Sequence, residues 1–154
     1  MDWPESTQPL IVGFPRGRQR DGNEPAGLID DANPLRWTSR YASLVTTIYG
    51  VGTVDGLNEA GLAGHGLYLE ATDFGPRDPA KPAMHAGLWL QYLLDQAATV
   101  AEAVALMADF ELISSPCADT TPISISLSRM PAATRPSSSS HRAVRPSITA
   151  GSTP

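Results

Sequence analysis

The hydrophobic pattern changes period near Met84, and that switch constrains the fold more than any other feature of the chain. Ahead of it the apolar residues come in short runs rich in β-branched and aromatic side chains, the mark of strands on a pleated sheet. From Met84 to Ala98 the residues Leu88, Trp89, Leu90, Tyr92, Leu93 and Leu94 are apolar on nearly every side of a helix, which predicts a helix packed between layers. Thr99-Val100-Ala101-Glu102 has the form of a capping box, the Thr hydroxyl placed for the amide of Glu102 and the carboxylate reaching back. A second helix is therefore expected from there to about Phe110. Several strands followed by two adjacent helices predict an α+β fold, with the helices covering one face of a mainly antiparallel sheet.

Within the strand-like part, Leu10 to Phe14 is a short apolar run between Pro9 and Pro15, suited to a buried strand. Arg16 to Asn33 is rich in Gly, Arg, Asp and Asn and reads as a loop. Trp37 to Tyr49 reads as one long strand, with Trp37, Tyr41, Ser43, Val45, Thr47 and Tyr49 on one side of the pleat. Asp55-Gly56 is a hairpin turn signal, and Asn58 beside it is expected to support the turn. A strand near 61–69 follows, its glycines allowing close approach from a neighbouring layer. Ile123 to Leu127 alternates and is a further strand.

With 154 residues, 42% apolar and 18% charged, the chain fits one domain with a core. It has no run of about eighteen apolar residues, and Met1-Asp2-Trp3-Pro4-Glu5 has neither the basic nor the apolar region of a secretory signal. No membrane partner is expected. The net charge of −5 is unevenly placed: every acid lies at or before Asp119, while Arg129, Arg135, Arg142 and Arg145 follow it among Ser, Pro and Ala. Without aromatic residues for base stacking, that basic stretch is not expected to bind nucleic acid. Residues 129–154 lack periodicity and apolar area, and disorder is expected there. One cysteine, Cys117, allows no internal disulfide and no paired-cysteine zinc site. His65, His85 and His141 form no constellation with a nucleophile, and no cofactor or metal is expected.

Five segments, in order, resemble the choloylglycine hydrolase and penicillin V acylase family. They are Met1-Asp2-Trp3, Phe14-Pro15-Arg16-Gly17, Trp37-Thr38-Ser39-Arg40-Tyr41, Asp55-Gly56-Leu57-Asn58-Glu59-Ala60-Gly61-Leu62, and a set running from Leu67-Tyr68-Leu69-Glu70 through Trp89–Asp95 to Ala98–Val104. The resemblance covers residues 1–128. It implies part of a four-layer αββα sandwich of N-terminal-nucleophile (Ntn) hydrolases and hydrolysis of linear amide C–N bonds in penicillin V, conjugated bile salts or N-acyl homoserine lactones. In that family the nucleophile is a cysteine that begins the mature chain, and its own α-amine is the general base.

By the same resemblance Asp2 is the catalytic residue that holds amine and thiol in register. Trp3, Tyr68 and Glu70 are substrate-pocket positions, with no Asn where some relatives place an oxyanion-hole residue. The family's arginine and nucleophilic cysteine have no counterpart before Asp2, and Cys117, internal and after Pro116, is not expected to replace the latter. The chain is thus expected to be an inactive fragment, with a small-molecule amide as substrate and a homo-oligomer as its intact parent. After Ser128 the family continues with a segment like Ser-Asp-Ala-x-Gly-Asp-Ser-Ala-Val-Ile-Glu. Writing the tail from Arg129 in GC-rich codons and reading one base earlier restores that segment, so residues 129–154 are expected to be out-of-frame translation. The alternative is a binding or scaffold domain that keeps the fold without the chemistry.

Overall fold

A computed structural model describes residues 6–68, 74–113 and 123–129. Five strands form one antiparallel sheet: β1 (Leu10–Phe14), β4 (Ser43–Ile48), β5 (Gly52–Asn58), β6 (Leu62–Tyr68) and β9 (Ile123–Arg129), side by side in that order. Between β1 and β4 the chain makes the two-stranded antiparallel pair β2 (Gln19–Asp21) and β3 (Arg36–Thr38), and later the parallel pair β7 (Ala83–His85) and β8 (Glu111–Ile113). Two helices, α1 (Trp89–Gln96) and α2 (Val100–Leu106), lie between β7 and β8 in the chain. The α+β class and the antiparallel sheet are as the sequence predicts.

Helix α1 packs on β5 and β6, and all its residues but Gln96 are buried. The sheet covers one side of it. Trp37 from β3 and Phe110 cover another, each meeting the Tyr92 ring edge-on with centroids 5.1 Å apart. Val45, Leu62, Leu93, Leu94 and Leu127, each exposed by 2% or less, fill the helix–sheet space. Burying each such side chain is worth roughly 1.5–3 kcal/mol, so this layer contact is the main source of stability. The expected cap forms with one partner shifted: Thr99 Oγ1 accepts from the Glu102 amide at 3.2 Å, and Glu102 Oε2 reaches back past the N-cap to accept from the Ala98 amide at 2.8 Å.

Four expectations are corrected. Residues 37–49 are not one strand, because β3 pairs with β2 while β4 pairs with β1 and β5. The break is made by Ser39, whose N–H donates to the Arg18 carbonyl and whose carbonyl accepts from Gly17, and by Arg40 and Tyr41, whose amides donate to the Asp95 carbonyl. Asp55 and Gly56 lie inside β5 rather than in a turn. The β4–β5 turn falls at Tyr49-Gly50-Val51, with positive φ at Tyr49 and Gly50. Gly56 serves packing instead: a Cβ there would lie 2.6 Å from Val45 Cγ1 and 3.1 Å from Leu94 Cδ1.

The third correction is at Met84, which starts no helix. Residues 83–85 are strand β7, held through Ala83 N–H to Asn33, the Ala83 carbonyl to Leu35 N–H and His85 N–H to Gly22. A 3-10 turn over Ala86–Leu88 then leads into α1. Fourth, the 16–33 loop contains β2, and β9 runs one residue into the expected tail, through Arg129. Residues 130–154 lie outside the described residues.

Candidate active site

The topology gathers one end of the sheet. Leu10, the first residue of β1, pairs with Thr47, and Ile48 at the end of β4 pairs with Gly52 at the start of β5. Tyr68 at the end of β6 pairs with Ile123 at the start of β9. The segment before β1 reaches the same end, its Thr7 carbonyl accepting from Tyr49 N–H at 2.9 Å. The chain positions that lead to Asp2 and Trp3 on one side, and to Glu70 on the other, therefore share this rim. From β1 to β6 it spans three strand spacings, about 14 Å. Asp2, Trp3, Glu70, Cys117 and His141 themselves lie outside the described residues, and Tyr68 is described as a strand position.

Below the rim the backbones of β5 and the 3-10 turn come close. A Cβ on Gly87 would lie 3.3 Å from Gly52 Cα and 3.0 Å from His85 Nδ1. His85 caps that turn, its Nδ1 accepting from the Gly87 amide at 3.2 Å, and burial pushes its pKa below the ordinary 6.5. A neutral ring is what the cap requires, because only an unprotonated Nδ1 accepts. The pairing register of β4 and β5 shifts here, jumping from Thr46–Asp55 to Thr47–Thr53 and leaving Val54 as the extra residue of a bulge.

The bulge lets Thr53, 5% exposed, join a buried polar network. Thr53 Oγ1 donates to Gln91 Oε1 at 3.0 Å, and Gln91 Nε2 donates to Asp95 Oδ1 at 2.8 Å and Ser43 Oγ at 3.1 Å. Asp95 Oδ2 accepts from Arg20 Nε at 2.9 Å and Trp37 Nε1 at 2.8 Å. Burial raises the Asp95 pKa against these donors and lowers that of Arg20 against Asp95. Arg20 also lies over the Phe14 ring, 4.3 Å from its centroid. With both carboxylate oxygens engaged and no exposure, Asp95 is an acceptor that organises four strands around α1 rather than an acid or base open to a substrate.

That network was not nominated by sequence reasoning, although a signal existed: Gln91 and Asp95 are polar at i, i+4 inside an otherwise apolar helix. Asn58 is expected to support a turn at Asp55-Gly56; that turn does not form, and Asn58 instead holds the β5–β6 turn that follows it. Its Oδ1 accepts from Ala60 and Leu62 amides, while Nδ2 donates to the Leu94 and Ala97 carbonyls, capping the end of α1. His65 and His85 lie apart in different environments, one paired with Asp55 on the exposed sheet face and the other capping a turn. A separate hollow lined by Asp21, Glu24, Leu28 and Asp30 contains none of the nominated residues.

A family model described as linear amide C–N hydrolases, choloylglycine hydrolase family, matches residues 1–128. The chain belongs to that family. A penicillin V acylase of Pectobacterium atrosepticum is 36% identical over 111 residues, covering 68% of this chain and 28% of the relative. Among solved structures, penicillin V acylase from Agrobacterium tumefaciens aligns with a TM-score of 0.71 and 37% identity, over 84% of this chain and 38% of that one. A conjugated bile acid hydrolase variant from Clostridium perfringens aligns with a TM-score of 0.63 at 22% identity, over 84% and 39%, which bears on fold alone. The fold is thus that of the Ntn hydrolases, of whose four-layer sandwich this chain supplies part. It spans between about a quarter and two-fifths of the length of these relatives.

Proposed function

We propose that this chain is a fragment of a hydrolase of linear amide C–N bonds whose nucleophile is an N-terminal cysteine encoded ahead of Met1. The observation that carries the reading is the family match over residues 1–128, and the shared rim supports it, since Thr7, five positions after Asp2, and Tyr68, two before Glu70, lie at one end of the sheet. In the intact enzyme the thiol attacks the amide carbonyl while the α-amine of the same residue takes the thiol proton and passes it to the leaving nitrogen, giving a thioester; water, deprotonated by that amine, then cleaves the thioester to release the acid and restore the thiol, and Asp2 holds the amine in place. Trp3, Tyr68 and Glu70 shape the acyl pocket. Penicillin V, conjugated bile salts and N-acyl homoserine lactones are the substrate classes to try. Residues 1–128 form the partial hydrolase domain and residues 129–154 an out-of-frame tail, and the intact parent is a homo-oligomer.

The test compares two chains on penicillin V, glycocholate and an N-acyl homoserine lactone. The 154-residue chain is expected to hydrolyse none. A chain extended upstream to an exposed first cysteine and downstream through the restored Asp-Ala-x-Gly-Asp-Ser segment is expected to hydrolyse at least one, and to lose that activity in Asp2→Ala. Turnover by the 154-residue chain that disappears in Cys117→Ala overturns the assignment of the nucleophile. An extended chain that is folded but inert favours the binding or scaffold reading.

A further inference from the structure

Among the described residues, two that are not glycine hold a left-handed backbone: Gln8 with φ 48° and Tyr49 with φ 53°. A side chain makes that conformation costly, and Gln8 is constrained further because it precedes Pro9, whose ring favours an extended backbone before it. The two residues meet at one contact. Tyr49 N–H donates to the carbonyl of Thr7, the residue next to Gln8, at 2.9 Å. Tyr49 is also the first central residue of the β4–β5 turn, which Val51 N–H closes onto the Ile48 carbonyl at 3.0 Å. A two-residue turn with positive φ at both central residues, here Tyr49 and Gly50, ordinarily takes Asn-Gly. Strain of this kind persists where the surroundings impose it, and it gathers at functional sites.

On the amide-hydrolase reading, on which this rests, we propose that the strained latch positions the segment carrying Asp2. Gln8 and Tyr49 then act on the reaction through their backbones and not by touching substrate. The geometric basis is reach. Thr7 stands five positions after Asp2, and five residues span at most about 18 Å when fully extended. Thr7 is bonded at the rim end of the sheet, beside the turn that follows β4, so its carbonyl fixes the point from which Asp2 is placed. Between Thr7 and the strand that starts at Leu10, the left-handed φ of Gln8 sets the direction in which the chain turns. A residue free of that restraint would let the segment leave the sheet at other angles. Relief of the strain should therefore stabilise the fold and slow the chemistry.

Gln8 offers the simplest test, because its side chain is exposed and Gln8→Gly removes the Cβ without removing the bond between Thr7 and Tyr49. In the 154-residue chain Gln8→Gly is expected to raise the urea midpoint, the released strain outweighing the greater freedom of glycine in the unfolded chain. In the extended chain of the activity test it is expected to lower kcat at least about threefold while KM stays within about twofold, since Asp2 holds the attacking residue rather than the substrate.

A midpoint that falls or stays put shows that there is no strain to release, and a midpoint that rises with kcat unchanged makes the strain merely structural. Either result overturns the proposal. So does an equal loss of kcat in Gln8→Ala, which keeps the Cβ and would assign the effect to the side chain. An extended chain that is folded but inert with Gln8 in place defeats the amide-hydrolase reading itself, and the role of the latch falls with it.

Discussion

The two faces of the five-stranded sheet are built from the same alternating strands and have opposite fates. Ser43 and Val45 are buried beneath α1 while Leu44, between them, is half exposed; Asn58 is buried while Leu57 beside it is not. Strand alternation divides residues between two faces without naming the inner one. What names it here is α1, with its buried polar groups as much as its leucines. The inner face satisfies Gln91 through Thr53 and Ser43, with Arg20 and Trp37 of the β2–β3 pair meeting Asp95 from beside the helix, whereas the outer face carries Leu44, Leu57 and the Asp55–His65 pair.

The harshest way to break the inner face is Asp95→Ala, which strands the buried Arg20 guanidinium without its counter-charge. A loss of about 3–5 kcal/mol is expected, seen as a large drop in the urea midpoint. A cavity comes next: Leu94→Ala should cost about 2–5 kcal/mol. The matched change on the other face, Leu57→Ala at low protein concentration, should stay within about 0.5 kcal/mol. Similar losses from the two would mean that the faces are not distinguished as described. Overpacking sharpens the same contrast, since Gly56→Ala drives a methyl group into Val45 and Leu94 and should cost about 1–3 kcal/mol, with no gain from its better strand propensity.

A pH dependence is expected below the rim. His85 has its folded pKa lowered by burial, so between that value and 6.5 the unfolded chain takes up a proton that the folded chain refuses. Its contribution is complete above 6.5 and is lost as pH falls below it, with a slope of at most about 1.4 kcal/mol per pH unit for one proton. His85→Asn keeps an acceptor for the Gly87 amide and removes the titration. Its urea stability should therefore fall less steeply than that of the parent chain between pH 6.5 and 5; equal slopes would show that His85 does not titrate there.

Some of this was legible in the residues. Leu10–Phe14, the strand from Leu62, the alternation after Ile123 and the Thr99–Glu102 box announce their elements because each is a local pattern of side-chain period or a cap, although Leu10–Phe14, expected to be buried, is an edge strand with Leu10 and Ile11 exposed. The family resemblance and the Ntn-hydrolase fold it implied were legible too. Asp2, Trp3, Tyr68 and Glu70 were named from residue type and family resemblance; that the Thr7 end of the chain and the Tyr68 end of β6 share one rim is a matter of strand order, which no local window contains. Asp55-Gly56 shows the opposite error: a pair with good turn chemistry lies mid-strand, because Leu94 needs the space above Gly56 more than the chain needs a turn there.

The sequence by itself determined the α+β class, the family and those elements whose periodicity or cap is carried by neighbouring residues, among them β1, β6, β9 and the start of α2. Only the tertiary structure decided where the 37–49 run breaks, which sheet face is buried, and that Asp95 ties Arg20, Trp37 and Gln91 together. Those outcomes are choices of partner made across the chain: the Asp95 carbonyl takes the amides of Arg40 and Tyr41, and its carboxylate takes donors from two other elements and its own helix. A buried donor or acceptor must be satisfied by whichever group the fold brings near, and that identity is set by packing in space rather than by spacing along the chain.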